Sequence, residues 1–256
     1  MPMKTTFLSL SLFLLFQCSS QAQNTPPPAP VSDNPTTGFI ALGFGSAMPL
    51  GDYGSTSNST ASGYAQSGSI IDISAGIPIN HSNFVIALKF DNFSNGYDIQ
   101  SYSNNFVANS PGYDVEVINS GGYHGETALI GLYGTIPIHN FVFDYRFMGG
   151  FMFASYPAIN YTVTDNNVDT VTNFNQSSSN STAFAFDIGI GLRWNVSHHF
   201  CLRLDYDYLS ANPSFTPTLT QINTNYGNTV SVPYTYRQKF TLENATFGIG
   251  YVFGRK

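Results

Sequence analysis

Between residues 183 and 196 the chain alternates without a break. Phe184, Phe186, Ile188, Ile190, Leu192, Trp194 and Val196 share one parity, and Ala183, Ala185, Asp187, Gly189, Gly191 and Arg193 share the other. Successive side chains of a β-strand point to opposite faces, so this run demands a long strand with one bulky apolar face. A helix would scatter the same residues around its axis. Three more stretches repeat the plan. Phe141, Phe143, Tyr145, Phe147, Phe151 and Phe153 oppose Asp144, Arg146, Met148, Gly150 and Met152. Phe200, Leu202, Leu204, Tyr206 and Tyr208 oppose Cys201, Arg203, Asp205 and Asp207, and Phe84, Ile86, Leu88 and Phe90 oppose Lys89 and Asp91. Every charge in these four strands falls on one face.

The strands come in related pairs. Residues 71–90, 130–147 and 184–208 each read as an apolar strand, a short His-containing turn and a second strand opened by Phe; Gly76-Ile77-Pro78-Ile79-Asn80-His81 and Thr135-Ile136-Pro137-Ile138-His139 correspond closely. Each repeat predicts a β-hairpin. A first strand at residues 39–48 and a last at 240–253 bring the count to eight, an even number that lets an antiparallel up-and-down sheet close on itself. Short turns near residues 80–83, 139–140 and 195–199 alternate with long links at about 51–67, 94–122, 155–181 and 210–237. Short periplasmic turns and long extracellular loops are the pattern of a transmembrane β-barrel.

Which face points outward separates a membrane barrel from a soluble one. An eight-stranded barrel encloses room for modest side chains only. The large residues are therefore expected outside, with Phe184, Phe186, Ile188, Trp194, Tyr206, Tyr251 and Phe253 against lipid. The opposite phase would put Asp144, Arg146, Arg193 and Arg203 there, at roughly 2–4 kcal/mol for each basic residue near the midplane. Charged residues make up 9% of the chain, against about 25% in a soluble domain. On the fourth strand, Glu126 and Tyr133 fit either phase.

The ends of the chain add a route. Lys4, an apolar core at residues 7–16 and Ser20-Gln21-Ala22 have the order of an export signal, residues 1–22. Residues 23–36, with Pro26, Pro27, Pro28 and Pro30, read as an extended periplasmic leader before a barrel domain at 37–256. The apolar core is shorter than the about 20 residues a spanning helix needs. Removal of the signal leaves Cys201 alone, read as a small lumen residue, so neither an internal disulfide nor a cysteine-based zinc site is expected. A net charge of −6 argues against a nucleic-acid partner.

Two motifs carry a resemblance. Gly43-Phe44-Gly45-Ser46-Ala47-Met48-Pro49-Leu50-Gly51-Asp52-Tyr53 is similar to the opening strand and Pro-Leu-Gly-Asp-aromatic turn of OmpA/OmpX-type small barrels, above all the outer membrane protein β-barrel domains of Bacteroidetes. Phe247-Gly248-Ile249-Gly250-Tyr251-Val252-Phe253 resembles their C-terminal assembly signal, here followed by Gly254-Arg255-Lys256. The resemblance implies residence in the cell outer membrane, contact with its lipid and lipopolysaccharide, and handling by the barrel-assembly machinery. Its motifs are architectural, and no cofactor is implied.

Lys89, Asp91, Asp144, Arg146, Asp187, Arg193, Arg203, Asp205 and Asp207 share the inner wall. Charges in a narrow, partly dry interior must pair to offset desolvation, so an ion-pair plug is expected, with a narrow ion-conducting path as the alternative use of the same residues. His81, His139, His198 and His199 fall at the short turns, a place for headgroup contacts more than for a metal ring. His124 and Glu126 lie near the outer surface, where a lipid A hydrolase would need them clustered with a loop Ser. No catalytic role is expected. The loops, rich in Asn, Ser, Thr, Tyr and Gly, have a composition suited to a surface ligand.

Overall fold

The structure, a computed structural model, describes residues 37–57, 59–79 and 82–254. The signal, the proline-rich leader and His81 lie outside the described residues.

Eight strands close into an antiparallel up-and-down barrel: β1 (Gly38–Pro49), β2 (Gly68–Pro78), β3 (Phe84–Asn95), β5 (Tyr123–Ile138), β6 (Phe141–Tyr156), β9 (Ser179–Asn195), β10 (Phe200–Ala211) and β15 (Phe240–Phe253). Closure is made by β1 and β15, paired in unbroken register from Gly38 with Phe253 to Pro49 with Leu242. Burial follows parity along every wall. On β9 the residues from Phe184 to Trp194 at even numbers are exposed, while Asp187, Gly189, Gly191 and Arg193 are enclosed. Phe184, Phe186, Ile188, Trp194, Tyr206, Tyr251 and Phe253 all lie on the outer wall, Phe184 with 64% of its surface exposed. The undecided strand resolves: Glu126 points out and Tyr133 points in.

One expectation needs correction. Large side chains do enter the barrel, but at its ends. Phe39, Val85 and Tyr133 fill the short-turn end, and Ile70, Phe93, Tyr123 and Phe240 the other. Volume excludes rings only where the interior must also hold the charges.

The long links are also folded, not merely solvated loops. They carry α1 (Gly51–Gly54), α2 (Ile99–Asn109) and seven short strands: β4 (Tyr113–Ser120), β7 (Ile159–Asp165), β8 (Thr170–Gln176), β11 (Ser214–Phe215), β12 (Thr218–Asn223), β13 (Thr229–Pro233) and β14 (Tyr236–Arg237). Five of these pair in the order β13-β12-β8-β7-β4, and β11 pairs with β14. Tyr156 pairs with Ser179 in the barrel wall and Ile159 with Gln176 just beyond it, so β7 and β8 continue the hairpin of β6 and β9. The fourth link is fastened to this hairpin by three serines two residues apart: the hydroxyls of Ser177, Ser179 and Ser181 accept from the backbone N–H groups of Thr218, Thr216 and Ser214 at 2.9, 3.0 and 3.2 Å. Helix α2 is capped by Asp98, whose carboxylate accepts from the Ser101 N–H at 3.0 Å. Ile99, Tyr102 and Phe106 of α2 pack on the apolar face of the crown that these folded links form, where the rings of Tyr161 and Phe174 stack 4.9 Å apart.

Candidate functional site

The inner wall holds ten enclosed charges. Lys89, Asp91, Asp144, Arg146, Asp187, Arg193, Arg203, Asp205 and Asp207, all expected from their parity, are buried within the barrel, and so is Asp72. Residues far apart in sequence meet because strand stagger and closure set β3, β6, β9 and β10 around a narrow space. Lys89 Nζ donates to Asp187 and Asp207, at 2.9 Å each, and lies 3.5 Å from Asp91. Arg146 reaches Asp205 at 2.7 Å through Nη1 and Asp207 through Nε. Arg203 grips Asp205 at 3.1 and 3.2 Å and lies 3.9 Å from Asp144, which accepts from Arg193 at 3.2 Å. These contacts form one connected network, and Thr127 adds a donor to Asp91 at 2.7 Å.

Space for the network comes from glycine. A Cβ at Gly189 would run into Asp207 Oδ1 and Arg146 Nε, and one at Gly191 into Asp205 Oδ1. The Arg146 guanidinium thus lies against a stripe of bare backbone on β9.

Aromatic groups close the network at both ends. On the short-turn side, Arg203 sits 4.6 Å from the Phe39 ring centre and Arg146 5.4 Å from that of Tyr133, a cation–π arrangement that suits desolvated guanidinium groups. On the long-loop side Tyr53, Tyr123 and Phe240 are fully buried against one another, the Tyr53 and Phe240 rings 4.3 Å apart. Tyr123 donates to Gly63 O at 2.7 Å and Tyr53 to Asn95 Oδ1 at 3.3 Å. The buried phenols are thereby satisfied.

The network is not balanced: six carboxylates face four cations. Asp72 makes no hydrogen bond among the described residues, and it stands directly across from Asp91. Sequence reasoning overlooked Asp72, although its place between Ile71 and Ile73 shows the same alternation as the other strands.

His139 occupies the β5–β6 turn with φ 56°, and His198 and His199 precede β10, the His199 ring 5.6 Å from that of Tyr251. Cys201 is buried, its thiol donating to Gly250 O at 3.6 Å. His124 and Glu126 point outward near the long-loop end of β5. Ser155 lies directly across from His124 on β6. The three share one patch, yet no described residue hydrogen-bonds the His124 ring, and Glu126 instead accepts from Asn92 Nδ2 at 3.3 Å.

No family model and no curated protein matches this chain. Among solved structures it is similar to Neisserial surface protein A, at 13% identity and TM-score 0.44, over 84% of this chain and 97% of that one. It is similar also to Ail, the attachment invasion locus protein of Yersinia pestis, at 12% identity and TM-score 0.39, over 85% and 99%. A third is a major outer membrane protein from Thermus thermophilus, at 12% identity and TM-score 0.43, over 85% and 98%. The closed barrel stands on this chain's own strand registers.

Proposed function

We propose that this chain is an integral outer-membrane protein whose plugged barrel anchors a folded crown, and that the crown binds a ligand at the cell surface without catalysis. One observation carries the reading. A continuous outer wall of exposed Phe, Ile, Leu, Trp and Tyr surrounds an interior holding ten buried charges. Water would reward neither arrangement, whereas lipid rewards the first and tolerates the second only when the charges are enclosed. The crown supports the interaction role because it is built from ordered elements: α2 and the five-stranded sheet pack into the same apolar cluster as the upper wall, and sites held on ordered elements bind without a large ordering cost.

A narrow cation path is the second reading, favoured by the carboxylate excess of the lumen. Reconstitution into phospholipid vesicles and planar bilayers tests both. Heat-modifiable gel migration and a protease-protected core are expected, with no conductance steps from the wild type. A chain that stays outside the vesicles would refute the membrane reading, and cation-selective steps lost on Asp72→Asn would replace the plug by a pore.

A further inference from the structure

We propose that the outer wall at the long-loop ends of β3, β5, β6 and β9 is a binding site for a glycolipid headgroup of the outer leaflet. This rests on the membrane reading above. Of the outward positions on the barrel strands, only those of Glu126 and Glu243 carry a carboxylate. Glu243 stands directly across from Tyr208 on β10. Among the described residues Glu126 has one donor, the Asn92 amide at 3.3 Å, and no cationic partner, and a carboxylate beside lipid is costly unless more donors are supplied.

The strand registers build the surroundings of Glu126. One outward row runs Asn92, Glu126, Phe153, Thr182; the row above it runs Ser94, His124, Ser155, Asn180. All of these except Ser94 line an open cavity of about 500 Å3, within the range of small-molecule sites. The row below runs Phe90, Ala128, Phe151, Phe184, so the small Ala128 leaves a notch between two aromatic rings.

The chemistry of this patch selects its occupant. A carboxylate and two side-chain amides provide acceptors for hydroxyl and amide N–H groups, while the amide nitrogens, the imidazole and the hydroxyls of Ser155 and Thr182 provide donors. Phe153 offers a ring face for the C–H side of a sugar, and the Ala128 notch a course for an acyl chain. A sugar with free hydroxyls and an amide-linked acyl chain uses all of these. A bare phosphate would be repelled by Glu126.

The test uses the full chain folded in phosphatidylcholine vesicles doped with deep-rough lipopolysaccharide or with phosphatidylglycerol, then extracted in mild detergent and weighed by native mass spectrometry. Retention of one glycolipid per barrel is expected. Glu126→Gln combined with Asn92→Ala should weaken retention about tenfold, and Glu243→Gln on the far side of the barrel should leave it unchanged. Equal retention by all three proteins, or equal retention of phosphatidylglycerol, would overturn the site. Release of free fatty acid that is lost on His124→Ala would support the site and overturn the reading without catalysis. A barrel that inserts but retains no glycolipid sinks this site alone, whereas one that fails to insert sinks the membrane reading with it.

Discussion

Gly189 and Gly191 decide how closely β9 can approach the charges it shields. Gly189→Ala should force Arg146 or Asp207 aside and lower stability by about 1–3 kcal/mol, read as a lower urea midpoint for the vesicle-folded barrel. Arg146→Ala should cost more, about 3–5 kcal/mol, because it leaves Asp205 and Asp207 buried with fewer partners. At this scale the sequence was informative about position and silent about partnership. Period two placed Asp144, Arg146, Arg193 and Arg203 inside, since parity alone decides the face. That Lys89 should meet Asp207, 118 positions away, depends on stagger and closure, which no local pattern encodes. Glu126 and Tyr133 were ambiguous because β5 carries a charge on one face and a large ring on the other near its two ends. The interior accepts a Tyr where the ionic network stops.

Among the elements, the crown was the least legible. Ile159, Tyr161 and Val163 alternate as a strand should, but β7 is short, and its Asn and Thr residues resemble loop composition. It pairs with β8 of its own link but also with β4 of another, and β8 pairs in turn with β12 of a third. The serine fastening is a direct probe: replacing Ser177, Ser179 and Ser181 together by Ala should speed amide exchange in β11 and β12 while exchange in the barrel strands stays slow. Unchanged exchange in both would show the hydroxyls to be incidental. A second probe is alkaline titration. Burial pushes the phenols of Tyr234 and Tyr236 up to about 12, from 10.0. Their contribution is full below pH 10, and it falls between about pH 10 and 12, where the unfolded chain ionises first. Crown order, followed by near-ultraviolet circular dichroism, should decline over that window. The two edges of the crown sheet also differ. β4 carries Asp114, Glu116 and a bulge at Val117/Asn119, devices that blunt an edge. β13 is exposed along its length, with Val230 54% and Val232 53% exposed.

For the molecule as a whole, strand count, closure and the direction of the apolar wall were all readable, because hairpin repeats and parity act globally once the sheet is closed. The division of labour between wall and crown predicts that deleting residues 104–121, which removes most of α2 and all of β4, leaves heat-modifiable folding intact; loss of the folded band would show that the crown helps the barrel to form. The continuation of β6 and β9 into β7 and β8 also has a mechanical meaning. A load applied to the crown runs along strands that belong to the wall, so it strains many backbone hydrogen bonds in parallel instead of opening them one by one from an end. Such an anchor resists a pull stiffly and then lets go abruptly, a behaviour suited to holding a surface contact under flow.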